Sequence, residues 1–226
     1  MVRLMAARLQ LFVFDLAGTT VVDDGHVMHS FAAAAASQGL VAAPELLRAR
    51  MGWHKQLVFA TLLREQGRDA ALAPILAARF EEEFALAVRR APLRPTPGAV
   101  EAIRMLLAAG LRVAFNTGFS RSTADVVLAA MDWQRHPSVA SDEVANGRPA
   151  PDLIRRAMAL TDVTDPARVG VAGDTPSDLL AGTAAGCGVV VGVGCGSHRL
   201  AELAGHPHTA LLPDLTALAE LVLVHG

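Results

Sequence analysis

Leu9-Gln-Leu-Phe-Val-Phe-Asp15-Leu-Ala-Gly-Thr-Thr20 is the stretch that decides the fold. An apolar run interrupted only by Gln10 leads into Phe14, and one carboxylate, Asp15, stands where the run stops and a Gly-Thr-Thr turn begins. A short apolar run closed by a turn reads as a buried strand, here delivering an acid to the edge of a sheet. Two residues on, where a second acid could have stood, the chain has Ala17.

Outward from this strand the pattern changes. Over 23–90 strand-like runs vanish, and the segments 26–38, 44–50, 54–65 and 70–89 read as helices, with breaks at Gly39, Gly52 and Gly67. The return, Arg90-Ala-Pro-Leu-Arg-Pro-Thr-Pro-Gly98, is stiffened by three prolines. Helix and strand then alternate. Thr96 is placed to cap a helix running to Ala109, a strand covers 111–115, and Ser120 caps a helix to Met131. A short strand near Val139, a helix from Pro149 and Pro151 to Leu160 and a strand over 169–172 follow. Thr175 and Asp178 form a capping box for a helix ending near Gly186, ahead of strands at 189–193 and 209–212 and a last helix from Leu215. This alternation predicts an α/β protein with a Rossmann-like parallel sheet covered by helices on both faces. The expected division is a core of 1–20 and 96–226 and a small all-α domain of 21–95.

Composition narrows the partners. The 226 residues are 52% hydrophobic, ample for a core, and the formal charge is −2 with no Lys/Arg run. That balance disfavours nucleic acid or an anionic membrane as partner and favours a small molecule, while a homodimer is left open. The segment 1–14 is broken by Arg3, Arg8 and Gln10 and has no cleavage site, so a cytoplasmic protein is expected. Cys187 and Cys195 match no metal or redox spacing and are read as packing residues. Of the 20 basic residues only Lys55 is a lysine. Where a bare positive charge suffices arginine would serve, so the surviving lysine draws attention.

In an open parallel sheet ligands bind beyond the carboxyl ends of the strands. The residues there are Asp15, Thr117 with Gly118, and Asp174 with Asp178 four positions on; Arg148, in the turn Asn-Gly-Arg-Pro, adds a cation. The set suits phosphoryl chemistry on a carboxylate nucleophile. Two acids can hold Mg2+ through hard oxygen ligands, while Thr117, the turn amides and Arg148 would bind the non-bridging oxygens. Taken singly, Asp178 reads as a capping residue sooner than as a ligand, Thr117 as a turn residue and Arg148 as a surface arginine. Joint spacing carries the weight.

Asp15-Leu-Ala-Gly-Thr19, Asn116-Thr117-Gly118, Gly147-Arg148-Pro149 and Gly173-Asp174-Thr-Pro-Ser-Asp178 resemble, in order, the four motifs of the haloacid dehalogenase superfamily, and the helical insertion resembles its C1 cap. The resemblance implies that Asp15 is nucleophile and metal ligand. It likewise implies that the Ala17 carbonyl and Asp174 are ligands, with Asp178 beside them. The usual phosphatase of that superfamily carries a second aspartate at the position of Ala17, which protonates the leaving alkoxide. The branch resembling this chain there is phosphonatase, or phosphonoacetaldehyde hydrolase, in which a cap lysine condenses with the substrate aldehyde and the imine accepts the electrons of the broken carbon-phosphorus bond.

Arg50-Met51-Gly52-Trp53-His54-Lys55 resembles the segment bearing that lysine, and implies Met51, Trp53 and His54 as substrate-pocket residues. Phosphonatases have a histidine three residues after the lysine; here Val58 stands there, with His54, His26 and His29 as candidate substitutes. Binding a substrate anion through Lys55 is the alternative to an imine. A phosphatase acting on an acyl or enol phosphate and a catalytically silent phosphate-binding regulator are the alternatives to a phosphonatase.

Overall fold

The computed structural model describes residues 9–223. The first eight and last three residues of the expected core range lie outside the described residues, as does most of the segment weighed as a leader. Among the described residues no helix is long and apolar enough to cross a membrane.

Six strands form one sheet: β1 (Leu11–Asp15), β2 (Arg112–Asn116), β3 (Ser138–Val139), β4 (Val169–Gly173), β5 (Val189–Val193) and β6 (Ala210–Leu212), in the order β3-β2-β1-β4-β5-β6. Every neighbouring pair is parallel. β1 is central, with Asp15 beside Asn116 of β2 and Phe14 beside Ala172 of β4. Such strands are buried on both faces, which is why Leu11 to Asp15 shows no polar alternation and every residue of it is buried.

Between β1 and β2 lie α1 (His26–Ser37), α2 (Pro44–Arg48), α3 (Lys55–Glu65), α4 (Ala73–Arg90) and α5 (Ala99–Ala108). α1 and α3 pack on α4. The segments entering and leaving this helical group pair with one another: the Val22 amide donates to the Arg94 carbonyl at 2.9 Å and the Thr96 amide to the Thr20 carbonyl at 3.0 Å. Phe119, from the sheet side, reaches into the helices and meets Phe84 at 5.0 Å and Phe80 at 6.4 Å between ring centroids. Each buried phenyl contributes about 1.5–3 kcal/mol of apolar burial, so these rings fasten the two layers.

α6 (Arg121–Ala130), α7 (Asp152–Leu160), α8 (Pro176–Ala185), the four-residue α9 (Leu200–Leu203) and α10 (Leu218–Leu223) complete the chain. Three expectations need correction. Thr96 does not cap α5, which starts at Ala99; its hydroxyl instead donates to the Thr19 carbonyl at 2.6 Å, a partner distant in sequence. The last helix begins at Leu218 rather than Leu215, and α9 replaces an expected loop. Cys195 is exposed rather than packed, while Cys187 is half-buried; both are free thiols.

Candidate active site

β1 carries Asp15 to the middle of the sheet's carboxyl edge, β2 ends at Asn116 so that Thr117 and Gly118 follow in the turn, and β4 ends at Gly173, one residue before Asp174. The turn after β4 is fixed by the capping box: the Thr175 side chain accepts from the Asp178 amide, and Asp178 Oδ2 accepts from the Thr175 amide at 3.0 Å. The Asp178 carboxylate also meets Arg148 Nη1, and Arg148 Nη2 donates to Asp15 Oδ1 at 2.6 Å. Arg148 thus spends its terminal nitrogens on two acids, and it holds the orientation of Asp15 as well as supplying positive charge. Thr117 Oγ1 accepts from the Phe119 amide at 3.2 Å, which leaves its own proton for a ligand.

Asp174 is fully buried. It accepts from the Ser197 amide at 2.6 Å and the Thr19 hydroxyl at 3.1 Å, yet burial, and next the charge of Asp15, push its carboxyl up to about 6. Carboxylate oxygens of Asp15, Asp174 and Asp178 lie within 4.8 Å of one another, all buried. Three buried acids balanced by one arginine, offering only hard oxygen atoms, fit a divalent cation such as Mg2+. Asp178 is the least available of them, since its oxygens are engaged by Thr175 and Arg148.

The helical segment brings Lys55 over this edge. The Met51-Gly52-Trp53 turn lies directly on the core: a Cβ on Gly118 would strike the Gly52 carbonyl, and one on Gly52, whose φ is +83°, would sit 3.0 Å from Thr175 Oγ1. Trp53 Nε1 donates to Ser177 Oγ at 3.1 Å, tying the same turn to α8. Lys55 is the first residue of α3 and only 8% exposed. Its Nζ donates to the Trp53 carbonyl at 3.3 Å and stands 4.9, 5.5 and 5.8 Å from the ring centres of Phe119, Phe31 and Phe80. The rings favour an ammonium, and so do Asp15 and Asp23. Burial, followed by the Arg148 charge, outweighs them and pushes Lys55 down to about 8. The positive end of α3 acts in the same direction.

Because the neutral amine gains as pH rises through about 8, roughly a quarter is unprotonated at pH 7.5, against about one in a thousand for an ordinary lysine. As the single lysine of the chain, Lys55 should give one ε-carbon resonance after 13C-lysine labelling. Its titration midpoint is expected near 8; a midpoint near the ordinary lysine value would contradict the buried setting.

Asp15, Ala17, Met51, Lys55, Thr117, Gly118 and Asp174 line one crevice of about 30 Å3, room for little more than a water. Asp23, Met51 and Ser197 also line a neighbouring cavity of about 470 Å3. Trp53 and His54 do not face the crevice; they line a groove of about 630 Å3 on the other side of Arg148. Val58 is buried in apolar core. Sequence reasoning missed Asp23, Thr19, Ser197 and the Phe31 and Phe80 rings. Asp23 and Ser197 sit in loops without periodic context, and only the chain's return in space makes them neighbours of the site.

Two relatives, both named phosphonoacetaldehyde hydrolase, resemble the chain. That of Latilactobacillus sakei is 27% identical over 79% of this chain and 73% of its own. That of Bacteroides fragilis is 29% identical over 92% and 84%. A crystal structure of a phosphonoacetaldehyde hydrolase-like protein from Oleispira antarctica matches at a TM-score of 0.83, with 19% identity over 97% of this chain and 93% of that one, a likeness of fold alone. The family model for haloacid dehalogenase-like hydrolases matches residues 9–186, most of the sheet and all of the helical segment, and the chain belongs to that family.

Proposed function

We propose that this hydrolase is a Mg2+-dependent phosphonatase that cleaves the carbon-phosphorus bond of a carbonyl phosphonate such as phosphonoacetaldehyde. The observation carrying the reading is a single lysine that lines the crevice together with Asp15, where residue 17 offers no acid. The two named relatives support it. Residues 21–95 act as a cap that opens and closes through the paired linkers, admitting substrate between lysine and nucleophile.

Lys55 Nζ forms a bond to the carbonyl carbon, and the carbonyl oxygen leaves as water, giving a protonated imine. An Asp15 oxygen then attacks phosphorus. As the new P–O bond forms, the electron pair of the C–P bond moves into the iminium and produces a neutral enamine. Thr117 and the Gly118 turn bind the phosphoryl oxygens, water later cleaves the phosphoaspartate, and the enamine takes a proton at carbon so that a second water hydrolyses the resulting imine to the carbonyl product and free Lys55. Asp15, the Ala17 carbonyl and Asp174 would hold Mg2+, with Asp178 supporting them. When bound, the ion offsets the repulsion between the Asp15 carboxylate and the anionic phosphoryl group. A carbon leaving group that departs as an enamine needs no acid at residue 17, whereas an alkoxide does.

The test is phosphate release from a panel of phosphonates, alkyl phosphates and acyl or enol phosphates, with and without Mg2+. Release from phosphonoacetaldehyde that requires Mg2+ is expected. Release confined to acyl or enol phosphates would replace the reading with an activated-phosphate phosphatase. A beryllofluoride adduct on Asp15 with no turnover on any compound would replace it with a silent phosphate-binding regulator.

A further inference from the structure

We propose that Asp23 is the acid–base partner of Lys55, moving protons between the amine and the carbonyl oxygen while the imine forms. The inference rests on the reading of Lys55 as the imine-forming residue. Forming an imine requires a group that takes a proton from the attacking nitrogen and gives one to the departing oxygen. None of the histidines considered from the sequence reaches the crevice. His54 lines the groove beyond Arg148, His29 is exposed, and Val58 stands where a histidine would be expected. His26 is buried, but its Nε2 lies 2.9 Å from the Ala91 carbonyl, an obligate acceptor, so Nε2 carries the hydrogen and is spent on the linker.

Asp23 does reach it. It lines the crevice together with Lys55, Asp15 and Thr117, and it also lines the larger cavity beside it. Its Oδ1 accepts from the Val27 amide at 3.1 Å, and the His26 amide also bonds to the carboxylate, so the start of α1 fixes its place at the crevice. The His26 Nδ1, which has no hydrogen-bond partner, stands 4.0 Å from the same Oδ1. Burial raises the Asp23 carboxyl above its ordinary value against the opposing pulls of the Val27 amide, His26 and Lys55.

The protons balance. A neutral amine beside a neutral carboxyl holds the same number as an ammonium beside a carboxylate. The Nζ lone pair bonds to the carbonyl carbon while the C=O π pair moves to oxygen. Asp23 then passes one Nζ proton to that oxygen and returns to its acid form. Its own proton leaves with the hydroxyl as water as the nitrogen lone pair closes the C=N bond. The products are a protonated imine, one water and an Asp23 carboxylate.

The experiment compares wild type with Asp23→Asn, which keeps an oxygen for the Val27 amide. Rates of borohydride-trapped adduct formation at Lys55 with phosphonoacetaldehyde are measured beside thermal unfolding and affinity for inorganic phosphate. Trapping is expected to slow by about 10²-fold or more, the scale of general acid–base catalysis, with unfolding and phosphate affinity unchanged and partial recovery in Asp23→Glu. Should Asp23→Asn fail to fold, Asp23→Ser takes its place with the same outcomes. Trapping within about threefold of wild type in the substituted protein would overturn the role of Asp23 and leave Lys55 standing, as would a slowing matched by lost phosphate affinity. If wild type forms no adduct at Lys55, the imine reading and this inference fall together.

Discussion

Replacing Lys55 by arginine is expected to bring phosphate release from phosphonoacetaldehyde down by at least about 10³-fold, the scale on which removing one member of a cooperating catalytic set acts. Arginine keeps the charge, the length and the stacking on Phe31, Phe80 and Phe119. It cannot give up its proton near neutral pH, so it cannot attack a carbonyl. The substitution therefore separates two roles that a deletion would confuse: a lysine that only binds an anion would survive the change with substantial turnover. Because no other lysine exists in the chain, the borohydride adduct can be assigned by mass, and its disappearance in Lys55→Arg identifies its origin. Circular dichroism and unaltered binding of inorganic phosphate should accompany the loss. Substantial phosphonate turnover in Lys55→Arg would end the imine mechanism.

What the sequence made legible was local. The run 11–15 had to be a strand because nothing polar interrupts it, and Asp15, Thr117 and Asp174 had to sit together because parallel strands place their carboxyl ends side by side. The Thr175 and Asp178 capping box was equally readable, since both partners lie within one turn. Long-range pairing was not. Thr96 has every local mark of a helix cap, yet its hydroxyl goes to Thr19 because the return linker runs beside the outgoing one. Arg148 was legible as a cation near the crevice, but not as a clamp between Asp15 and Asp178, and Asp178 therefore has less freedom to meet a metal than its spacing suggested. Trp53 and His54 adjoin Lys55 in sequence yet face the groove beyond Arg148, because a turn at Gly52 followed by the start of α3 sends successive side chains in different directions. The rings that desolvate Lys55 come from α1, α4 and the turn after β2, three segments with nothing in common until they pack.

Introducing an acid at residue 17, as Ala17→Asp, is expected to move the enzyme in the opposite direction on two substrates at once. Ala17 lines the crevice with Asp15 and is half-buried, so a carboxyl there would stand beside the scissile bond of a bound phosphoester. As a proton donor to the leaving oxygen it should raise turnover of alkyl phosphates by about 10²-fold, the lower end of what general acid catalysis supplies. The gain should shrink as the leaving group becomes more acidic, because a good leaving group needs no proton. Phosphonate turnover should fall for an electrostatic reason. A further negative charge in the crevice favours the ammonium form of Lys55, adding to the pull that Asp15 and Asp23 already exert, and so lowers the fraction of reactive amine at neutral pH. The ε-carbon titration of Lys55 would then shift upward, which gives the charge effect a readout independent of catalysis. Steady-state kcat/KM on a series of alkyl and aryl phosphates and on phosphonoacetaldehyde measures both arms. An Ala17→Asp protein that binds inorganic phosphate, yet gains nothing on alkyl phosphates, would mean that the missing acid is not what separates this site from an ester phosphatase.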